Sequence, residues 1–435
     1  MHYRQSIDGC LADAAGAGGL TRAEYAAALK ETVPAIAALR TARDKATLPL
    51  LALPDRRDDL PELAEVARDL RERFDTVVVL GTGGSSLGGR TLATLSDWGF
   101  GPRQGAPRLV FLDNIDPATL EMLVARVDLE RACLLAISKS GGTAETLAQL
   151  LALVGWMEHY QGKGALARSL VAITEPGDRP LRRFAGEWGA RVLDHDPGVG
   201  GRYAALSLVG ILPAILAGLD PVAIREGAAS VLDATLDTKD PAGAPPAVGA
   251  AVSVALARHR GVGTSVFLPY SDRLRPLGQW WRQLWAESLG KGGMGTTPVD
   301  ALGTVDQHSQ LQLWLDGPAD KMVTVVTSPT ASLGERLDAD LAGRIGAGYL
   351  GGRTPGDLLA AMARATVDTL VSRGRPTRTL ELDRVDAPTM GALMMHFMLE
   401  TIVAAHLLGV DPWDQPAVED GKVLARRYLA ESPGV

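Results

Sequence analysis

The sequence predicts an α/β protein made of two α/β/α layers on parallel sheets, with helical additions at both ends. Three observations carry this. Short β-branched runs alternate with helical stretches over residues 75–196, the rhythm of a doubly wound parallel sheet. A second alternation of the same kind covers residues 247–408. Finally, a chain of 435 residues exceeds the roughly 250 to 300 at which one hydrophobic core stops growing, so two domains are expected.

In chain order, residues 1–74 read as a helical lead-in that closes with PDRRDDLPELAEVARDLRERF, whose Leu and Val spacing suits an amphipathic helix. The runs TVVVL, RLVFLD, ACLLAIS, SLVAIT and ARVLD then read as strands of a first domain. Residues 202–240 read as helical, and the Pro/Gly-rich DTKDPAGAPPA marks a domain boundary. The second domain reads as helix 247–260, strand TSVFLP, helix 276–289, strand KMVTVVT, helix 356–374, strand TRTLELD and helix 388–408. The expected division is therefore 1–74, 75–240, 241–410 and a C-terminal helical segment 411–435. No clear sequence repetition relates the two layers.

Composition narrows the function. With 46% hydrophobic and 22% charged residues the chain has the makeup of a folded enzyme. Lys+Arg total 44 against 51 Asp+Glu, a net charge of -7, so no basic excess favours nucleic acid or an anionic membrane. An anionic substrate would need a local positive site. Two cysteines, Cys10 and Cys133, are too few for a disulfide framework or a structural zinc, and a reducing compartment is expected. The N-terminal MHYRQSIDGC lacks the apolar run of a secretory signal. The most apolar stretch, 203–219, contains Pro213 and falls short of the roughly 20 residues of a membrane span, so a buried helix is expected.

Six segments have the residue types for chemistry. VVVLGTGGSSLGGR runs a strand into Gly81, Gly83, Gly84, Ser85 and Ser86 before a helix, suiting either an anion or a tight strand-to-helix turn. Ser86 stands where a dinucleotide fingerprint wants its last glycine. AISKSGGTAET places Ser138, Lys139, Ser140 and Thr143 at another strand end, a hydroxyl and N–H cradle for a phosphate monoester or an ordinary Ser/Thr cap. In DPGVGGRYAALS, Gly200 and Gly201 set Arg202 at the mouth of an apolar helix, as a surface residue or a fixed cation. QWWRQLWAESLGKGG carries Glu287 near Trp280, Trp281 and Trp285, which would desolvate it and raise its pKa for general-base work; a solvated helix glutamate is the plain alternative. ALGTVDQHSQLQL puts His308 in a polar loop, and DQPAVEDGK carries Gln415, Glu419 and Lys422, where Lys422 also fits a helix-surface pair. No HExxH, paired-cysteine or carboxylate cluster points to a metal.

Together these segments resemble the phosphoglucose isomerase family, in particular its shorter bacterial members; six ordered blocks match from about residue 75 to the C-terminus. The resemblance implies two sugar-isomerase domains and interconversion of glucose 6-phosphate and fructose 6-phosphate in the cytoplasm, without metal or cofactor. It implies that Ser138, Ser140 and Thr143 hold the phosphate, with Gly84, Ser85, Lys139 and Gly201 alongside. Glu287 is similar to the family's isomerisation base and Arg202 to the arginine beside the enediol. His308 resembles the ring-opening histidine, with Lys422 helping and Glu145 orienting it, and Gln415 a substrate-contacting glutamine. The resemblance further implies a homodimer in which His308 serves the neighbouring subunit's site. Ala204, Ala417, Thr82 and Ser86 depart from the commonest family residues, and none removes a proposed catalytic group. Other classes consistent with single segments are a nucleotide-binding dehydrogenase, a sugar-phosphate-binding regulator and an isomerase that also acts on mannose 6-phosphate.

Overall fold

A computed structural model describes residues 1–162 and 164–431. Its strands are β1 Tyr3–Ser6, β2 Thr76–Leu80, β3 Arg108–Leu112, β4 Ala132–Ile137, β5 Leu170–Thr174, β6 Arg191–Asp194, β7 Thr264–Pro269, β8 Thr297–Asp300, β9 Lys321–Thr327 and β10 Thr377–Leu382. They form two sheets, ordered β3-β2-β4-β5-β6 and β1-β10-β9-β7-β8. All pairs are parallel except β1 with β10. The parallel part of the second sheet, β8-β7-β9-β10, repeats the order β3-β2-β4-β5 of the first. The repetition absent from the sequence is thus present in the topology.

Both faces of the first sheet are covered, which is why its strands read as continuous apolar runs. Val77, Val79, Leu135 and Ile173 face the helices Leu60–Arg73, Leu87–Asp97 and Leu208–Leu216. Alternate residues Val78, Leu80, Leu134 and Ala136 face Pro117–Arg126, Ala144–Gln161 and Pro180–Glu187. In the second sheet Phe267, Val326 and Leu380 join the same continuous core as Val77, while Val266, Val323 and Val325 pack on the helix Pro355–Ser372. One core therefore fuses the two layers. Cys133 lies fully buried in it, with its thiol pushed up to about 12 by burial.

The eight strands expected from apolar runs are present, and two more join them. β1 (YRQS) and β8 (TPVD) are four-residue edge strands with polar residues, and β8 contains Pro298, tolerated at an edge where no ladder N–H is needed. Neither carries the buried apolar run that marks an inner strand. The lead-in is accordingly not wholly helical: β1 lies in the second sheet. The helix Ala387–Leu408 is apolar enough over 22 residues to cross a membrane by composition, and 89% of its most apolar window is buried inside the protein.

β1 is pinned by a buried polar chain. Tyr3 Oη lies 2.6 Å from His396 Nδ1, and His396 Nε2 lies 2.9 Å from Glu400 Oε2. Arg378 Nη1 donates to Glu400 Oε1 at 2.7 Å and its Nε to Thr324 Oγ1 at 3.1 Å. An ionised Glu400 can only accept, so His396 donates from Nε2 and accepts the Tyr3 proton at Nδ1. Burial pushes Glu400 upward, but Arg378 and His396 outweigh it and hold the carboxyl below the usual range. Burial holds His396 below its ordinary value against the pull of Glu400, so it stays neutral.

Removing Arg378 as Arg378→Met leaves Glu400 buried without a counter-charge and is expected to cost about 3 to 5 kcal/mol in urea unfolding. A histidine with a lowered folded pKa leaves stability intact above its ordinary value of 6.5 and erodes it as pH falls below that. Wild type should therefore lose stability faster than His396→Gln below pH 6.5, by up to about 1.4 kcal/mol per pH unit. Equal slopes for the two proteins would remove His396 from the acid transition.

Candidate active site

The site is built where strand ends and crossover helices meet. After β4 the chain turns through residues 138–143 into the helix Ala144–Gln161. Gly141 makes the turn at φ +66°, where a Cβ would stand 2.7 Å from Arg179 Cβ and 2.9 Å from Thr174 Oγ1. Ser138, almost fully buried, places Oγ 2.8 Å from Thr143 Oγ1 and accepts the Thr143 N–H at 3.4 Å. Ser140 Oγ accepts the Gly142 N–H at 3.3 Å. Thr143 occupies the N-cap without capping the helix, its hydroxyl turned to Ser138. The loop is an arc of hydroxyls ahead of first-turn N–H groups, the donor set for a phosphate.

The glycine loop after β2 is packed closely against two neighbouring segments. A Cβ on Gly81 would lie 3.1 Å from Ile137 O at the end of β4, so the loop abuts the hydroxyl arc. A Cβ on Gly84 would lie 2.2 Å from Gly201 O and 2.6 Å from Arg202 N. Absence of a side chain there lets the Arg202 segment rest directly on the loop. Ser85 is half-buried beside it, and Gly201 is the residue it leans on.

Arg202 is the most connected group of the site, with only 4% of its side chain exposed. Nε donates to Ser288 Oγ at 2.8 Å. Nη1 donates to Glu287 Oε2 at 3.3 Å and Gln415 Oε1 at 2.7 Å. Nη2 donates to Pro412 O at 2.6 Å and Asp414 O at 3.0 Å. These are five acceptors for the five N–H groups of a guanidinium. Glu287 Oε1 accepts from Gln283 Nε2 at 2.9 Å, one helical turn back. Both carboxylate oxygens are therefore held, and the side chain keeps 32% exposure towards solvent.

A family model described as phosphoglucose isomerase matches residues 69–433. The chain belongs to the phosphoglucose isomerase family. It is 39% identical over 376 residues to the glucose-6-phosphate isomerase of Rubrobacter xylanophilus, covering 86% of this chain and 87% of that one. It is 37% identical over 383 residues to the glucose-6-phosphate isomerase of Thermus thermophilus, covering 86% and 89%. A solved structure titled a hypothetical protein from Thermus thermophilus superposes with a TM-score of 0.85 at 34% identity, over 98% of this chain and 100% of that one. A glucose-6-phosphate isomerase from Chlamydia trachomatis superposes at 0.72 with 23% identity, over 86% and 73%, a likeness of fold.

Within this phosphoglucose isomerase chain, Arg202 is brought into direct contact with both Glu287 and Gln415, and Gly84 and Gly201 pack against its backbone. Lys139 instead donates to Pro197 O at 2.8 Å and lies 3.6 Å from Glu175, outside the hydroxyl arc. Glu145 is exposed in the first turn after the arc. His308 is exposed on the turn that follows β8, and Lys422 pairs with Glu419 at 2.7 Å on the exposed helix Glu419–Glu431. Neither is a hydrogen-bond partner of Glu287 or Arg202. Residues 432–435 of the C-terminal segment lie outside the described residues.

The tryptophans do not enclose Glu287 as expected. Trp281 stacks on Phe267 in the core and packs against Trp285. At about 100° per residue, Trp281 and Trp285 stand about 120° and 160° around the helix from Glu287, while Trp280, only about 20° away, lies two turns back and is buried in the core. Its neighbours are polar. Gln283, Ser288, Tyr203 and Lys291 were not singled out in the sequence; only Gln283, at the i−4 position from Glu287, carried a readable signal.

Gly84→Ala would push Gly201 and Arg202 off the loop, an overpacking strain expected to cost about 1 to 3 kcal/mol. Near-ultraviolet circular dichroism should change too, because Trp413, whose ring centre is 5.0 Å from that of Tyr203, is held through the same arginine. A wild-type urea midpoint and spectrum would show that the two segments have room to part.

Proposed function

We propose that this chain interconverts glucose 6-phosphate and fructose 6-phosphate. The observation that carries this reading is the carboxylate of Glu287, held by Gln283 and Arg202 across the glycine loop from the hydroxyl arc 138–143, in a phosphoglucose isomerase chain whose relatives bear the name glucose-6-phosphate isomerase. Ser138, Ser140, Thr143 and the first-turn N–H groups bind the phosphate, with Gly84, Ser85 and Gly201 shaping the floor. Converting an aldose to a ketose moves one proton from O2 to O1 through the enediolate and a second from C2 to C1, which one carboxylate can take and return. Glu287 does so, and the enediolate formed between those steps carries negative charge near O1 and O2. Arg202 Nη1, already shared between Glu287 and Gln415, is the donor that an enediolate oxygen takes over.

Ring opening needs a second acid and base. We assign it to His308, assisted by Lys422 and oriented by Glu145, in a cytoplasmic homodimer whose two chains exchange His308. Supporting this, Asp306 pins the His308 turn while the imidazole stays exposed: its carboxylate accepts from Leu302 N–H at 2.7 Å, Ser309 Oγ at 2.6 Å and Gln310 Nε2 at 2.9 Å. A rigid turn with an outward imidazole suits delivery to a neighbouring chain.

Glu287→Gln keeps the shape but removes the base, and a general base is typically worth about 10² to 10⁴ in rate. Turnover in a coupled assay with chelator present should fall by that factor, together with exchange of substrate carbon-bound hydrogen into deuterated water. Persistent exchange in the variant would assign the base elsewhere.

Mixing Glu287→Gln with His308→Ala chains tests the exchange. In a hybrid dimer of shared sites, one site carries both lesions and the other neither, and random pairing makes about half the dimers hybrid. Activity should then return to about a quarter of wild type. Hybrids verified by mass spectrometry that stay at the parents' average would place both residues in one chain's site.

A further inference from the structure

The hydrogen bonds around Arg202 close into a ring. A guanidinium nitrogen only donates, so Ser288 Oγ accepts from Arg202 Nε at 2.8 Å. The Ser288 proton is then free to point at Tyr203 Oη, 3.0 Å away. Burial pushes the Tyr203 phenol up to about 12, so it keeps its proton and can donate to Pro412 O at 3.5 Å. Pro412 O also accepts from Arg202 Nη2 at 2.6 Å. This assignment gives every donor an acceptor and returns to the arginine where it began.

We propose that Ser288 and Tyr203 are positioning residues for the isomerisation step, fixing the plane of the Arg202 guanidinium so that Nη1 faces the carboxylate of Glu287. Ser288 follows Glu287 directly on the helix Arg275–Leu289, so one turn of helix sets both the base and the arginine's orientation. Ser288 is fully buried and Tyr203 is 1% exposed, which keeps water from replacing either link. With Nε held by Ser288 and Nη2 by Pro412 and Asp414, rotation of the guanidinium is blocked from both of its other ends. Neither side chain needs to touch substrate. Tyr203 acts on Arg202 through Ser288 and through Pro412 O, and its ring lies beside the cation, with Arg202 Cζ 5.6 Å from the centroid.

This inference rests on the isomerase reading of Glu287, and the experiment separates the two. Ser288→Ala, Ser288→Thr, Tyr203→Phe and the double variant Ser288→Ala/Tyr203→Phe are compared with wild type for kcat, KM and circular dichroism. Ser288→Ala should lower kcat about tenfold, the loss of one hydrogen bond's worth of barrier reduction, with KM changed less than about twofold because the phosphate arc is untouched. Ser288→Thr, which keeps the hydroxyl, should restore kcat. Tyr203→Phe should lower kcat about threefold, and the double variant should lose less than the product of the two single effects, since both side chains act on one guanidinium. Fold effects multiplying independently in the double variant, or Ser288→Ala at wild-type kcat, would overturn the proposal while leaving an active wild type and a dead Glu287→Gln in place. An inactive wild type would instead sink the isomerase reading. Should Ser288→Ala fail to fold, Tyr203→Phe with unchanged kcat would overturn the proposal by itself.

Discussion

Arg202 is the constraint on which the site depends. A guanidinium taken almost wholly out of water is tolerated only when its charge is offset and its donors are paired, and here one carboxylate and four neutral oxygens do that. The acceptors come from two parts of the chain: the helix Arg275–Leu289 and the strap 410–415, which ends on Gln415. Lys291 adds to the grip, reaching the Asp411 carbonyl and the Asp414 carboxylate, the latter at 2.9 Å. The arginine therefore ties the chain's last segment to the helix that carries Glu287. Such a residue is planar and always charged, and lysine could match neither the five donors nor their fixed directions.

Why this happens between the two layers follows from the topology they share. The helix Leu87–Asp97 joins β2 to β3, and the helix Arg275–Leu289 joins β7 to β8, the corresponding crossover of the second sheet. Both contribute to one core, through Leu92 and Leu95 on one side and Leu277 and Leu284 on the other. The glycine loop opens the first helix and Gln283 lies in the second, and a Cβ on Gly83 would stand 2.5 Å from Gln283 Nε2. Open parallel sheets gather ligands at the carboxyl ends of their strands. Here the first sheet supplies the hydroxyl arc in that way, whereas the carboxylate comes from the last turn of the second sheet's crossover helix Arg275–Leu289.

The inner strands were legible because burial on both faces writes itself as an apolar run, and the helices because their spacing follows the helical period. β1 and β8 escaped since YRQS and TPVD hold no adjacent apolar pair, whereas β6, also a four-residue edge strand, keeps Val192 and Leu193 together. In the site, Glu287, Arg202 and the hydroxyl arc were legible as residue types at strand and helix ends, combined by the family resemblance. Their environment was not. The tryptophans flank Glu287 in sequence but face the core, because adjacency along a helix scatters side chains around its axis. The roles of Gln415, Tyr203 and Ser288 depend on contacts with Arg202 across 213 residues in one case and 86 in another, which no local pattern records. The glycine loop reads as a place for an anion or a tight turn, and what the sequence does not record is that Gly84 also makes room for the backbone of Gly201.

The buried polar networks around Glu400 and Arg202 impose different requirements on the fold. Around Glu400 the chain is closed inside the second layer, with Arg378 and Glu400 only 2% and 1% exposed, and it gives the short strand β1 a reason to stay. Around Arg202 the network ends on Glu287, which keeps about a third of its side chain open. A carboxylate held on both oxygens but open on one side keeps its direction while remaining reachable, which a fully enclosed one like Glu400 cannot. Beyond the strap the helix Glu419–Glu431 has no buried residue and exposes Val423, Leu424, Tyr428 and Leu429. The chain is thus anchored firmly up to Gln415 and lightly after it. The group that must hold still, Arg202, sits on the anchored side, and Lys422, assigned to the brief step of ring opening, sits on the other.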